Sequence, residues 1–124
     1  MAAPKCVLVV DDSLLARMML KKFVSKLLPD WVLIEAKDGQ DALARIAGKN
    51  LDIALVDYNM PGISGIDLAK KLRQQFSNAA IALITANIQD YIINEAKVLG
   101  ISFISKPIEE EKIAAFICAV ENIP

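Results

Sequence analysis

Five short apolar runs alternate along the chain with longer segments spaced like amphipathic helices, and this alternation constrains the fold more than any other feature. The runs occupy residues 6–10, 31–35, 53–56, 80–85 and 101–104. Each consists mainly of aliphatic and β-branched side chains with little polar alternation, which is the pattern of strands buried on both faces of a sheet. The runs are therefore predicted to be five strands.

The segments between the runs are predicted to be helices. In the first, an apolar stripe repeats every four residues, at Leu15, Met19, Phe23 and Leu27. Ser13 can cap the start of this helix, and Pro29 ends it because proline cannot donate a backbone hydrogen bond. Further helices are predicted near residues 40–47, 65–76, 89–99 and 109–121, with Gly48 and Gly100 as C-terminal caps.

A strand followed by a helix, repeated five times, predicts an α/β fold with a mostly parallel sheet, helices on both faces and right-handed crossovers. Closing a barrel would take about eight such units, so the (βα)5 pattern favours an open, doubly wound sheet. In such a sheet, ligands bind at the carboxyl ends of the strands. The chain has 124 residues, the size of one ordinary domain, and residues 1–124 are predicted to form a single domain.

The composition excludes several classes of function. The chain has no histidine, which removes Ser-His-Asp catalysis, histidine-based zinc sites and any phosphohistidine carried on this chain. A net charge of −1 supplies no basic field for nucleic acid or an anionic membrane. Cys6 and Cys118 lie in apolar runs far apart, as expected for reduced thiols. Without a signal peptide or a membrane-spanning segment, the protein is predicted to be cytoplasmic and not inserted in a membrane.

Polar side chains gather where the predicted strands end. They are Asp11 and Asp12 after the first strand, Asp57 after the third, Thr85 at the end of the fourth and Lys106 beyond the fifth. A single aspartate at such a place is usually a turn or cap residue, but ordinary turns do not explain polar groups at four strand ends. We expect these side chains to share one cleft at the carboxyl edge of the sheet.

Their chemistry points to phosphoryl transfer. Two carboxylates 4 Å apart repel by about 4 kcal/mol at an effective dielectric of 20, so three together need a proton or a cation to offset their charge. Oxygen ligands without histidine or cysteine favour Mg²⁺ or Mn²⁺, and Mg²⁺ commonly joins carboxylates to a phosphate. Asp57 is the predicted phosphoacceptor, because a carboxylate can form an acyl phosphate. Lys106 would offset the charge of the phosphoryl oxygens, and Thr85 would donate a hydrogen bond to one of them.

The segments around these residues resemble the receiver domain of two-component response regulators, at the length of a single-domain chemotaxis-type regulator. The matching segments are Val9-Val10-Asp11-Asp12-Ser13, Leu55-Val56-Asp57-Tyr58-Asn59-Met60-Pro61-Gly62, Ser64-Gly65, Ile84-Thr85-Ala86 and Ser105-Lys106-Pro107. Each segment alone is weak evidence, whereas their order and spacing are specific. The resemblance implies a flavodoxin-like, five-stranded parallel sheet in the order 2-1-3-4-5.

The resemblance also implies partners and a metal site. A sensor histidine kinase or a histidine phosphotransfer protein would supply the phosphohistidine in trans, which explains how a chain without histidine can act in such a pathway. Asp12 and Asp57 would contact Mg²⁺ directly, Asp11 through water and Asn59 through its backbone carbonyl. A cis peptide bond between Lys106 and Pro107 would aim the lysine into the site.

The resemblance also implies a switch. This switch would act on a downstream protein target or on an output domain outside this chain. In the family, the residue at Thr85 is coupled to an aromatic residue at the position of Phe103. The output surface would lie on the fourth helix, fifth strand and fifth helix, around Tyr91, Lys97, Phe103 and Ile113. Asn59 and Asn87 would influence the lifetime of the phosphoryl group, which the sequence does not determine.

Two other functions remain open from the residues. A Mg²⁺-dependent phosphohydrolase would also use an aspartyl phosphate, but such enzymes usually place a second acid where Asn59 stands. An unphosphorylated receiver-like binding module would normally lack Asp12, Asp57 or Lys106, and all three are present. A nucleotide-binding fold is disfavoured because the first strand leads into neither a GxGxxG motif nor a P-loop. The protein is therefore predicted to be a switch, and not an enzyme beyond its own phosphorylation and dephosphorylation.

Overall fold

The computed structural model describes residues 5–86 and 90–121, without the side chains of Asp90 and Tyr91. In this part of the chain, five strands alternate with five helices. The strands are β1 (Cys6–Val10), β2 (Val32–Ala36), β3 (Ile53–Asp57), β4 (Ala80–Thr85) and β5 (Ser102–Ser105). The helices are α1 (Leu14–Leu27), α2 (Gly39–Ile46), α3 (Gly65–Gln75), α4 (Asp90–Val98) and α5 (Glu110–Glu121).

The strands form one parallel sheet in the order β2-β1-β3-β4-β5, which confirms the predicted fold class and strand order. Every residue of β1 and β3 is buried, because these strands lie inside the sheet with helices on both faces. Their sequences therefore show no polar alternation. At the carboxyl edge, Asp57 pairs with Ile84 of β4, and Thr85 pairs with Ser105 of β5.

Two apolar layers flank the sheet. Alternate residues of β1 face opposite sides, so that Val7 and Val9 pack with α1 and α5, whereas Leu8 and Val10 pack with α2 and α3. The caps expected from the sequence are also present, since the Ser13 hydroxyl accepts a hydrogen bond from the Ala16 amide. Gly48 and Gly100 adopt positive φ angles of 75° and 69° just after helices, as a C-terminal cap requires.

The predicted apolar stripe of α1 is wrong at its start. The buried residues of this helix are Leu20 and Val24, with Phe23 and Leu27 partly buried beside them, whereas Leu15 is 68% exposed. The helical period is correct, but Leu15 in the first turn of α1 lines the open cleft and does not face the core.

The predicted surface position of Ile113 is also wrong. This side chain is fully buried against the sheet together with Ile117. Residues 113–120 of α5 are apolar almost all round, so periodicity does not show which face of this helix meets the core.

Candidate functional site

The parallel sheet brings the predicted site residues to one edge. Backbone hydrogen bonds continue past the strand ends, where the Lys106 amide donates to the Thr85 carbonyl at 2.9 Å and the Tyr58 amide donates to the Ile84 carbonyl at 2.9 Å. These bonds hold the residues that follow β3 and β5 in register with the end of β4. The sequence expectation that the strand ends share one edge is met.

Three carboxylates meet there. Oxygens of Asp11, Asp12 and Asp57 all lie within 4.8 Å of one another. Asp11 and Asp57 are each 2% exposed, whereas Asp12 is exposed. Among the residues that the structure describes, the buried polar or charged ones are Asp11, Asp57 and Thr85. Burial of charge is therefore concentrated at this site, where it is costly unless a cation offsets it.

Lys106 offsets part of this charge. Its Nζ lies 2.9 Å from Asp57 Oδ1, in an ion pair that does not have the alignment of a hydrogen bond. The Lys106–Pro107 peptide bond is cis, as the family resemblance implied. Three carboxylates and one ammonium leave a net charge of −2 on the groups that face one another here.

Asp11 has an unusual environment. Its Oδ1 accepts a hydrogen bond from the Ser13 amide at 2.9 Å, while its buried Oδ2 has no hydrogen-bond partner in the described part of the chain. Burial raises the pKa of Asp11 from 3.8 to about 6, and the nearby charges of Asp57 and Asp12 add to the increase. The Ser13 amide and Lys106 oppose it. A divalent cation would remove both the repulsion and the missing contact of Oδ2.

The donor set fits Mg²⁺. Three carboxylates and no nitrogen or sulfur ligand favour a hard cation, and a net charge of −2 matches a divalent one. The carboxylates line an open cleft of about 400 Å³. Its lining residues are Asp11, Asp12, Ser13, Leu15, Ala16, Met19, Asp57, Asn59, Lys106, Pro107 and Ile108.

Thr85 does not line this cleft. It is 1% exposed, and its backbone carbonyl accepts the hydrogen bond from Lys106. Asn59, the fourth predicted metal ligand, is exposed and lines the cleft. The structure therefore brings four predicted ligands to one space, while Thr85 is buried at the end of β4.

Gly65 allows α3 to approach the end of β3, which carries Asp57. A Cβ atom at this position would lie 2.4 Å from the Asp57 carbonyl oxygen and 2.6 Å from Tyr58 Cα, distances that backbone atoms cannot accommodate. The Gly65 amide also donates to the Tyr58 carbonyl at 3.0 Å. The start of α3 is thus packed directly against the end of β3.

Phe103 lies partly buried on β5 and packs against the core layer on the α2 and α3 side of the sheet. It also lines a second cleft, of about 410 Å³, between β5 and α5. Lys97 is exposed on α4, as expected of a surface residue. Asn87 and the side chain of Tyr91 lie outside the described residues.

Sequence reasoning missed two features of the site. One is an apolar rim formed by Leu14, Leu15 and Met18, which are all more than half exposed on the first turns of α1. The other is Arg17, whose guanidinium donates a hydrogen bond to the Asp11 carbonyl. A signal for Arg17 was present, since its cation stands near the positive end of a helix dipole that no acidic residue offsets.

The sequence model of the response regulator receiver domain matches residues 7–117. The chain belongs to this family. Receiver domains are the signalling switches of two-component systems, they interact with sensor kinases and downstream targets, and they generally bind Mg²⁺ at an acidic pocket. The acidic cluster of this receiver domain consists of Asp11, Asp12 and Asp57.

Individual relatives agree with this assignment. The receiver domain is 34% identical over 110 residues to the chemotaxis protein CheY of Thermotoga maritima, covering 88% of this chain and 91% of that protein. It is 32% identical over 112 residues to the cyclic di-GMP phosphodiesterase response regulator RpfG of Xanthomonas campestris, covering 88% of this chain. The chemotaxis protein CheY4 of Vibrio cholerae has the same fold, with a TM-score of 0.84 at 27% identity over 95% of this chain and 99% of that chain.

Several relatives are much longer than this receiver domain. It spans 30% of RpfG, 44% of the positive alginate biosynthesis regulatory protein of Pseudomonas aeruginosa and 7% of the sensor protein EvgS of Escherichia coli. Across the described ranges, no helix has both the length and the apolar character needed to cross a membrane.

Proposed function

We propose that Asp57 accepts a phosphoryl group from a phosphohistidine on a sensor histidine kinase or a histidine phosphotransfer protein, in the presence of Mg²⁺. In this proposal residues 1–124 act as one receiver unit in the cytoplasm. Phosphorylation alters a surface that a downstream protein target, or an output domain outside this chain, binds. The observation that carries the proposal is the convergence of three carboxylates and Lys106 on one cleft at the carboxyl edge of the sheet.

Asp57 is the nucleophile because it is the buried carboxylate that also faces an ammonium group. A carboxylate oxygen of Asp57 attacks phosphorus, the P–O bond forms, and the P–N bond to the donor histidine breaks. The leaving imidazole takes up a proton and becomes neutral. Lys106 then offsets the added charge of about −1.5 to −2, and the Thr85 hydroxyl donates to a phosphoryl oxygen.

Asp11, Asp12, Asp57 and the Asn59 backbone carbonyl would hold Mg²⁺, with Mn²⁺ able to replace it. When bound, the ion neutralises negative charge on the phosphoryl oxygens during transfer. The support on this chain is the buried Oδ2 of Asp11, which has no hydrogen-bond partner among the described residues, and the raised pKa of that carboxyl group. Both features describe a carboxylate that gains stability from a cation.

The apolar rim supports a protein donor. Leu14, Leu15 and Met18 expose large apolar side chains on the first turns of α1, and Leu15 also lines the acidic cleft. Exposed apolar surface of this kind usually marks a contact with a partner. A partner that covers the rim would bring its phosphohistidine to the open side of the cleft and exclude water from the transfer.

The output of the switch is proposed to run through Thr85 and Phe103. The backbone of Thr85 is joined to Lys106, so a movement of either residue toward a phosphoryl group affects the end of β5. Phe103 is only partly buried on that strand, which leaves its ring room to change burial. Its side chain carries no hydroxyl, so burial of the ring is the signal that a partner would detect.

The test is intact mass spectrometry after incubation with Mg²⁺ and a small acyl phosphate or phosphoramidate. The wild type should gain one phosphoryl group, and Asp57→Ala should gain none. Chelation of the metal should abolish the adduct in the wild type. An undiminished adduct in Asp57→Ala, or sustained turnover of phosphomonoesters by the wild type, would contradict the proposal and favour a phosphohydrolase.

A further inference from the structure

Arg17 joins the acidic site to the edge strand of the sheet. Its Nη1 donates a hydrogen bond of 2.6 Å to the carbonyl oxygen of Asp11, and its Nε donates one of 3.1 Å to Glu35 Oε1 on β2. The side chain is only 14% exposed. Because a guanidinium group is a rigid, planar fork of donors, these two contacts fix its orientation.

The placement of Arg17 is not explained by its helix. It is the fourth residue of α1, close to the positive end of the helix dipole, and the first turn contains no acidic residue. A cation there is unfavourable for the helix itself. Its two polar contacts, with Asp11 just after β1 and with Glu35 on β2, therefore account for its position.

These contacts complete a clamp on the backbone of Asp11. On one side, the Asp11 amide donates to the Ala36 carbonyl at 3.2 Å, and on the other, the Asp11 carbonyl accepts from Arg17. The Ser13 amide holds Oδ1. Oδ2 is buried and has no hydrogen-bond partner among the described residues, so it is the oxygen left free to bind a cation.

We infer that Arg17 is a positioning residue for the divalent cation, and that Glu35 anchors it. The carbonyl that Arg17 holds belongs to the peptide between Asp11 and Asp12, so its orientation sets the directions of both side chains. This inference rests on the proposed function, because it requires that the acidic cleft bind Mg²⁺. Arg17 touches neither the cation nor the phosphoryl group in this scheme.

A purely electrostatic role for Arg17 predicts the opposite change in Mg²⁺ affinity from a positioning role. If Arg17 acted only through its charge, its removal would make the cleft more negative and would tighten binding of a divalent cation. If it acts by positioning, its removal weakens binding. The sign of the change therefore separates the two explanations.

Lys21 provides a matched control. Its Nζ lies 2.5 Å from Glu35 Oε2, so it is a second cation on the same carboxylate, but within the described part of the chain its ammonium makes no hydrogen bond or ion pair with Asp11. Lys21→Met and Arg17→Met each remove one positive charge from the same region. Only the second removes the clamp.

The experiment is a titration with Mg²⁺ alone, followed by the amide NMR shifts of the site residues and by the gain in Tm. Arg17→Met should raise the dissociation constant for Mg²⁺ about tenfold or more, in the range seen when groups that orient metal ligands are removed. Arg17→Lys should fall between that variant and the wild type. Lys21→Met should bind as tightly as the wild type or slightly more tightly.

The inference is overturned if a folded Arg17→Met binds Mg²⁺ as well as the wild type, or if both methionine variants are weakened equally. If Arg17→Met does not fold, Arg17→Lys and Glu35→Gln decide the question by the same criterion. Failure of the wild type to bind Mg²⁺ would be a different result, since it would overturn the proposed function. At saturating Mg²⁺, Arg17→Met should be phosphorylated at the wild-type rate. A variant in which Asp57 itself is displaced would stay slow at any Mg²⁺ concentration.

Discussion

The ammonium of Lys106 lies 2.9 Å from the buried carboxylate of Asp57. Asp57 ends β3 and Lys106 follows β5, and β4 lies between these two strands in the sheet. The contact crosses the intervening strand end, where the Thr85 carbonyl accepts the Lys106 amide. Charge balance at the site therefore depends on a loop that is tied to β4.

Lys106→Met should slow phosphorylation of Asp57 by a small acyl phosphate by about 10²-fold, the usual cost of removing one group that stabilises developing charge. The time course of the phosphorylated mass measures this. Lys26→Met is the control, because Lys26 forms an exposed pair with Glu110 at 2.8 Å and should leave the rate unchanged. Equal rates for Lys106→Met and the wild type would show that the ammonium has no part in the transfer.

The free energy of unfolding should depend on pH through Asp11. Its pKa is raised from 3.8 to about 6, so between these values the folded protein holds a proton that the unfolded chain releases. Stability without Mg²⁺ should therefore fall as the pH rises from about 4 to 6, by a total of about 3 kcal/mol.

Urea denaturation at several pH values measures this change. Asp11→Asn should lose this part of the pH dependence and should be more stable than the wild type at pH 7 without Mg²⁺. Asp30→Asn, an exposed carboxylate, is the control. Added Mg²⁺ should stabilise the wild type more than Asp11→Asn, and a pH profile unchanged by Asp11→Asn would contradict the assignment.

Gly65→Ala should affect both stability and chemistry. Its Cβ would meet the Asp57 carbonyl at 2.4 Å, so α3 or the end of β3 must shift. We expect a loss of about 1–3 kcal/mol, the usual cost of overpacking, together with slower phosphorylation at saturating Mg²⁺.

Gly48→Ala separates the two effects. Gly48→Ala should also lower the stability of the protein, because the φ of Gly48 is +75°. A Cβ atom at this position would have no atom within 4 Å, so it would not displace any neighbour. This variant should be phosphorylated at the wild-type rate. A destabilised Gly65→Ala with unchanged phosphorylation would show that the close approach serves only the fold.

Leu15→Ala should reduce phosphoryl transfer from a phosphorylated histidine kinase or phosphotransfer protein by about tenfold, the effect of losing roughly 1.4 kcal/mol of interface energy. Uptake from a small acyl phosphate should not change. The donor is chosen from a panel of phosphorylated histidine kinases and phosphotransfer proteins as the one that phosphorylates the wild type fastest. Val98→Ala is the control, since Val98 is also an exposed apolar residue but lies on α4. Equal loss from both donors would place Leu15 in the chemistry rather than at the partner contact.

Local sequence patterns predicted the secondary structure well. Strand β1 was recognisable because a strand buried on both faces needs apolar residues at every position, and the structure buries all five residues of Cys6–Val10. The start of α1 was recognisable because Ser13 can satisfy a backbone amide of the first turn. These signals depend only on residues that are neighbours in sequence, so they can be recognised without knowledge of the fold.

Long-range contacts were harder to predict. The exposed Leu15 and the buried Ile113 were both assigned to the wrong environment, since periodicity defines a helix face but not what packs on it. The clamp of Arg17 on the Asp11 carbonyl was missed because a residue-type pattern carries no information on contacts to backbone atoms. Thr85 is only 1% exposed at the end of β4, a degree of burial that residue type alone does not predict.

Local patterns in the amino-acid sequence establish the alternation of strands and helices, the absence of histidine, and the set of carboxylates, hydroxyl and ammonium that follow the strands. Which of these groups touch one another depends on the tertiary fold. Strand order and register place Lys106 against Asp57 and leave Asp11 Oδ2 without a hydrogen-bond partner among the described residues. Side-chain type and spacing are local properties of the chain, whereas distances across a sheet depend on the packing of segments far apart in sequence.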